Sequence, residues 1–141
     1  MNLSKETKLI LVKAAQASAG TAITTDPVDT DGFDGVMFFG SLATVNAGNY
    51  AKARQGDASN MSDGADLAGT KIVPGNNGDS FLIDLKRPTK RFVDCQVVRA
   101  GANTAVGDIY ALLYGPPRKS PSHQGPTINA ELHVSPEEGA A

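Results

Sequence analysis

Short apolar runs separated by polar turns recur along the chain, and in most of them every second residue is apolar. Strict alternation is the pattern of a β-strand with one buried face, whereas an amphipathic helix repeats about every 3.6 residues. No stretch sustains the helical period. The pattern therefore predicts strands over residues 8–16, 35–44, 49–55, 70–73, 80–85, 91–100 and 105–114, with a further short strand over 131–134.

The side chains within two of these runs indicate where the strands lie. The run at 35–44, GVMFFGSLAT, is apolar on both faces, which is typical of a strand inside a sheet. The run at 49–55, NYAKARQ, alternates alanines with Lys52 and Arg54. Because successive side chains of a strand point to opposite faces, one face of this strand is expected to meet water.

Turn signals separate the predicted strands, among them Asp31-Gly32, Asp63-Gly64 and the GNNG cluster at 75–78. The polar segment before residue 70 is expected to hold one helical turn, at 65–68. Seven or eight short strands at this spacing predict an all-β fold, specifically a jelly-roll-like antiparallel β-sandwich.

The chain changes character after Tyr114, where a proline-rich segment begins. Proline cannot donate to a sheet ladder and favours extended or turn backbone. We therefore expect a β-sandwich core over residues 1–114 and a Pro-rich C-terminal arm over 115–141. The arm contributes one added strand if 131–134 pairs with a sheet.

Composition and charge narrow the functional classes. The chain has 141 residues, which suits one domain, and its 13 Lys and Arg against 15 Asp and Glu provide no general attraction for nucleic acid. The opening MNLSKETKLILVK lacks the apolar run of a signal peptide, and no run is long enough to span a bilayer. We expect a soluble protein, made in the cytoplasm, that binds neither nucleic acid nor membrane.

Residues that could carry catalysis are few. His123 and His133 are the only histidines and lie in the arm, away from any rigid pair of catalytic groups. Cys95 is the only cysteine and alternates with valines, as a buried apolar side chain does. Clustered metal ligands and nucleotide-binding loops are also missing from the sequence, which predicts no enzymatic activity and no cofactor.

An acidic run, DPVDTDGFDG at 26–35, has two interpretations. Clustered carboxylates could bind calcium, but the glycine and the closing glutamate of an EF-hand loop do not stand at the required positions. The alternative is a solvated acidic turn before a core strand, and the spacing favours it.

Four cations crowd the stretch KRPTKRFV at 86–93, namely Lys86, Arg87, Lys90 and Arg91. They could grip phosphates, dock another protein, or form a solvated basic turn. Single-strand nucleic-acid binders interleave aromatic residues with such charges, and here only Phe92 is near. Arg118 and Lys119 form a second basic spot in the arm. These six residues are our candidates for a protein-binding surface.

Several segments, in this order along the chain, resemble one family. They are TKLILVKAAQASAGT with the following VDTDGFDGVMFFGSL, then KARQGDASNMSDGADLAGT, the corner RPTKRFV, and YGPPRKSP leading to VSPEEG. Together they resemble the small capsid cement, or decoration, proteins of tailed bacteriophages. Each segment is weak alone, and it is their order over most of the chain that carries the resemblance.

The resemblance implies a jelly-roll protein without enzymatic activity that sits on the outer capsid surface of the virion. It would be assembled in the host cytoplasm, act as a homodimer, and clamp neighbouring subunits of the phage major capsid protein. An alternative is a jelly-roll module that binds carbohydrate or a host surface, although sugar sites favour exposed aromatic residues and the chain has no Trp. A cupin-like metal enzyme is a third alternative, which the scarcity of histidine disfavours.

Overall fold

The structure, a computed structural model, describes residues 2–115, 123, 127–134, 138 and 140. Within these residues it contains one short helix, α1 (Leu3–Glu6), and eleven strands. The strands are β1 (Lys8–Lys13), β2 (Gln16–Ala19), β3 (Ile23–Thr24), β4 (Val28–Asp29), β5 (Gly35–Ser41), β6 (Asn49–Gly56), β7 (Ala65–Asp66), β8 (Ser80–Lys86), β9 (Phe92–Arg99), β10 (Thr104–Val106) and β11 (Ile109–Tyr114). No helix in the described part of the chain has the length and apolar character needed to cross a membrane.

The first sheet has the order β1-β11-β5-β8, and all its pairings are antiparallel. The register places Phe38 of β5 between Ala111 of β11 and Ile83 of β8. All three side chains are buried, so this row points into the protein. Strand β5 has neighbours on both sides, which confirms that the run at 35–44 forms an interior strand.

The second sheet has the order β3-β9-β6-β7, and β4 also pairs with β9. Its central pair aligns Ala51 with Val97 and Ala53 with Cys95, and all four side chains are fully buried. The intervening side chains of β6 point to the other face, as the alternation predicts. Strands β2 and β10 form a separate antiparallel pair.

The strand order is that of a jelly roll. Strands β3 and β4 both pair with β9 and together occupy one strand position in the second sheet. The two main sheets therefore contain eight strand positions, which we number in chain order. The first, eighth, third and sixth positions form one sheet, and the second, seventh, fourth and fifth form the other. Two interleaved Greek keys produce this arrangement. The predicted all-β, jelly-roll-like antiparallel sandwich is therefore confirmed.

One hydrophobic core joins the inner faces of the two sheets. Phe38, Phe81 and Ile109 enter it from the first sheet, and Val93 and Val97 enter it from the second. Burial of such side chains contributes about 1.5–3 kcal/mol each. Among the described residues, no buried side-chain nitrogen or oxygen lacks a hydrogen-bond partner. The core therefore provides a rigid body on which the loops between strands are mounted.

Two predicted elements are wrong. Residues 65–68 form no helical turn, because Ala65 and Asp66 pair with the end of β6 as strand β7. Residues 131–134 form no strand, and Val134 is 89% exposed. In both places a pattern of four residues was too short to identify an element: at 65–66 the pairing with β6 decides the structure, and at 131–134 no strand pairing is present.

Other boundaries shift for identifiable reasons. The run at 8–16 breaks after Lys13, where the register of β1 against β11 is irregular. The run at 105–114 divides into β10 and β11, and 70–73 makes only one isolated bridge, from Ile72 to Ala51. The sequence also missed α1, since a helix of four residues shows no period.

Candidate functional site

The candidate site is the loop that connects β8 to β9 and contains the cations predicted from sequence. Arg87 turns the chain with a left-handed backbone, φ 53°, and its N–H donates to the Asp34 carbonyl at 2.6 Å. A residue other than glycine rarely adopts this conformation, so the surrounding structure holds the turn in place. Pro88 follows and fixes the backbone further. We call residues 86–91 the basic corner.

Arg91 is paired with an acidic side chain that lies 62 residues earlier in the sequence. Its Nε and Nη2 donate to the two carboxylate oxygens of Asp29 at 2.9 and 2.7 Å. This contact exists because Asp29 in β4 pairs with Phe92 in β9. The hydrogen bonds from Arg91 lower the pKa of Asp29, so the pair stays charged over the ordinary pH range.

Lys90 is engaged on the opposite side of the basic corner. Its Nζ lies 3.2 Å from a carboxylate oxygen of Asp57 and 3.9 Å from one of Asp63. Asp63 also accepts hydrogen bonds from the N–H groups of Asp57 and Ala58, and these bonds lower its pKa. The ion pairs of Lys90 and Arg91 therefore connect the basic corner to the loop at 57–63 and to β4.

Lys86 and Arg87 differ from the other two cations. Both residues are exposed, and neither forms an ion pair with any described residue. Arg87 lines two open depressions, one of about 380 Å³ beside Phe33 and Asp34, the other of about 330 Å³ beside Leu67 and Thr70, and Lys86 lines only the second. The corner is thus a ridge between two hollows, with two free cations on it.

The acidic run at 26–35 lies beside this ridge. Thr30 to Asp34 line the larger depression together with residues 87–91, and the Thr30 side chain donates to the Arg91 carbonyl at 2.8 Å. Asp29 is occupied by Arg91, as described above. Among the described residues, no group of three or more His, Cys, Asp or Glu is placed to hold a metal ion. The acidic run therefore lines one side of the depression next to the basic corner.

Sequence reasoning treated the acidic run and the basic corner as separate features. Asp29 and Arg91 are 62 residues apart in the chain, and no local sequence pattern indicates that they are in contact. The signal that could have joined them is the strand order of the jelly roll, because it places β4 next to the start of β9. Arg118 and Lys119 lie outside the described residues, and their role stays a prediction.

The three residues considered for catalysis are not brought together. Cys95 is fully buried, and desolvation raises the pKa of its thiol to about 12. His123 Nδ1 accepts the Leu9 N–H at 3.0 Å, which leaves its Nε2 to donate to the Ser4 carbonyl at 3.1 Å. His133 is exposed, with Nε2 3.0 Å from the carboxylate of Glu131.

Comparisons with known proteins do not assign a family. No protein-family model matches the chain, and no curated protein matches it. Among solved structures, the chain is similar to the SPBc2 prophage-derived protein YomS, with 11% sequence identity and a TM-score of 0.48. That similarity covers 78% of this chain and 94% of the YomS chain. At this level it identifies neither a relative nor a function.

Proposed function

We propose that the protein is a structural virion protein that binds the outside of a phage capsid shell. It stabilises the shell by clamping neighbouring subunits of the major capsid protein. Its partners are that protein and a second copy of itself, and it needs no cofactor, nucleic acid or membrane. The sequence segments that resemble phage cement proteins motivate the proposal, and the geometry of the basic corner supports it.

The observation that carries the proposal is the ridge with two cations that form no ion pair with any described residue. Ion pairs hold the loop through Lys90 and Arg91, so Lys86 and Arg87 are presented on a fixed backbone. Pre-organised groups lose little conformational entropy on binding. Charge complementarity of this kind sets orientation and specificity more than affinity. The two cations suit an acidic group of the partner that contacts the ridge itself, because Asp31 and Asp34 line the larger hollow and would repel a carboxylate placed there.

We also propose that the protein catalyses no reaction. Supporting this, Cys95 is buried with its thiol held protonated, and both ring nitrogens of His123 are occupied by backbone groups. A nucleophile or general base must instead reach a substrate within hydrogen-bonding distance.

Clamping then works by repetition. A shell offers the same site many times, and linking two weak contacts raises the effective concentration of the second one. Anything that binds the assembled shell and not its separated subunits stabilises the shell by mass action. A dimer with one basic corner per copy would have two such grips.

The experiment measures binding of the purified protein to shells assembled from the major capsid protein of the encoding phage. The test variant replaces Lys86 and Arg87 with Ser. We expect about 2- to 30-fold weaker binding and a flatter salt dependence, since exposed charges contribute about 0.2–1 kcal/mol each. A matched control replaces Lys5 and Lys71 with Ser, which removes the same charge elsewhere on the surface and should leave binding unchanged.

Two results would contradict the proposal. One is a shell whose melting temperature does not rise at saturating protein. The other is equal loss of binding in the test and control variants, which would show a response to net charge alone and would remove the basic corner from the interface.

A further inference from the structure

The smaller of the two depressions beside the basic corner differs from the larger one in the residues that line it. It lies between the end of edge strand β8 and the turn that follows β7, so residues of both sheets contribute to it. Its apolar lining comes from Leu67, Ala68, Leu85 and Pro88. Leu67 and Leu85 also pack against the hydrophobic core. We call this depression the smaller hollow.

The neutral polar side chains of the smaller hollow already have partners within the protein. Gln55 Nε2 donates to Thr89 Oγ1 at 2.9 Å. Thr70 Oγ1 donates to the Leu67 carbonyl at 2.8 Å and accepts the Ala53 N–H at 3.1 Å. Because these groups are hydrogen-bonded to one another, an apolar side chain can enter the hollow without leaving them unpaired.

The charged groups around the smaller hollow favour an anion. Asp84 lines it, and Asp84 Oδ1 accepts the Tyr114 hydroxyl at 2.5 Å. Lys86 and Arg87 also line it, and both are exposed and form no ion pair with any described residue. The two cations outnumber the single carboxylate, so a carboxylate of a partner would be attracted to the rim of the hollow.

The larger hollow suits an apolar side chain less well. Asp31 and Asp34 line it with exposed carboxylates, and Lys90 and Arg91 line it as members of ion pairs. An apolar side chain placed there would remove charged groups from water, which costs free energy. The smaller hollow, with apolar walls and both cations at its rim, is the better match for an apolar side chain next to a carboxylate.

We propose that the smaller hollow receives a segment of the shell subunit in which a carboxylate and an aliphatic side chain are neighbours. The aliphatic side chain enters between Leu67 and Leu85, and the carboxylate contacts Lys86 and Arg87. This inference rests on the proposed function and names the chemistry of the partner. An anchor side chain in a pocket supplies much of the energy of many protein interfaces, and charges around it set its orientation.

The size of the smaller hollow limits its occupant. Its volume is about 330 Å³, whereas pockets for drug-sized ligands range over about 300–1,000 Å³. Ala68 at its border is exposed, so a segment can approach from solvent. The hollow therefore accommodates one aliphatic side chain with its neighbouring carboxylate, and it is too small for the face of a helix.

The test titrates the full-length protein with N-acetyl-leucine, which joins one carboxylate to one aliphatic side chain, and follows the backbone amides by NMR. We expect shifts within residues 67–70 and 86–89, with a dissociation constant of about 1–10 mM for a probe of this size. N-acetyl-leucinamide lacks the carboxylate and should bind about 2- to 30-fold more weakly. N-acetylglycine lacks the aliphatic side chain and should bind about 10-fold more weakly or worse.

A pair of variants locates the binding. Ala68→Glu places a carboxylate at the exposed border of the smaller hollow, where it repels the probe and competes for the cations. Ala47→Glu is the matched control, because Ala47 is an exposed alanine in the loop between β5 and β6 and lines neither hollow. We expect Ala47→Glu to bind N-acetyl-leucine like wild type, and Ala68→Glu to bind it about 10-fold more weakly or worse.

Circular dichroism of each variant confirms that the comparison is made between folded proteins. The inference is overturned if N-acetyl-leucine shifts no amide of the hollow at about 10 times the expected dissociation constant. It is also overturned if the shifts lie at residues 31–34, if N-acetyl-leucinamide binds equally well, or if the two variants bind alike. Because no shell is present, each of these results leaves the proposed binding to capsids to be decided by its own experiment.

Discussion

At the scale of single residues, the structure separates charges that hold the fold from charges that face a partner. Asp94 lies on the outer side of β9, yet its side chain is only 1% exposed because Arg54 covers it. Arg54 Nε and Nη2 donate to its two oxygens at 2.9 and 2.6 Å. The sequence placed Arg54 on a wet face, and its function there is to neutralise a buried carboxylate.

We predict that Arg54→Ala lowers the free energy of unfolding by about 1.5–3 kcal/mol, the usual contribution of hydrogen bonds to a charged group. Because the truncation also uncovers Asp94 to water, the loss stays below that of a charge left buried without a counter-ion. Lys52→Ala is the control, as its partner Asp66 is 57% exposed, and the loss should be below about 1 kcal/mol. Urea unfolding measures both, and equal losses would contradict the prediction.

At the scale of elements, one edge strand of the first sheet is contacted by the arm. β1 and β8 are its two edge strands, and an open edge invites pairing with other chains. At β1 the Leu9 N–H is capped by His123 from the arm, and the same ring reaches Ser4 after α1 begins. His123 therefore fastens a point of the arm to the start of the sandwich.

We predict that His123→Ala speeds hydrogen exchange of the Leu9 amide by about 2- to 10-fold, the effect of losing one net hydrogen bond. The equivalent change at His133 should leave this amide unaffected, because the His133 ring pairs with Glu131 and not with Leu9. Exchange measured by NMR distinguishes the two. Unchanged protection of Leu9 in His123→Ala would remove the fastening from the structure in solution.

At the scale of the whole molecule, the core between the two sheets is inaccessible to solvent unless the protein unfolds. Cys95 tests this directly, since it lies at the centre of β9 between the sheets. Its thiol has a pKa of about 12, and the thiolate is the reactive form.

We predict that Cys95 in the native protein does not react with thiol reagents at pH 8, and that it reacts at once in denaturant. Because burial raises the thiol pKa above its unfolded value of about 8.5, the associated stability is present below that pH. It is lost as the pH rises toward 12. Modification by iodoacetamide, followed by mass spectrometry, measures this. Rapid labelling without unfolding would show that the core opens locally.

Much of the fold was accessible from the sequence because it depends on neighbouring residues. Alternation placed Ala51 and Ala53 on a face opposite Lys52 and Arg54, and burial follows that division. The run at 35–44 indicated an interior strand for the same local reason. Short elements failed, as at 65–66, because two or three residues carry too little pattern to outweigh the pairing that the sheet offers.

The sequence by itself determined the class of fold, the inward faces of the long strands and the stretch that carries the basic corner, since each depends on residues close together in the chain. Only the tertiary structure decided which cations of the basic corner are paired within the described residues, because Asp29 contacts Arg91 across 62 residues. It also decided that the second apolar face of β5 lies on the outside. Strand order arises from contacts between distant segments, and local alternation contains no information about them.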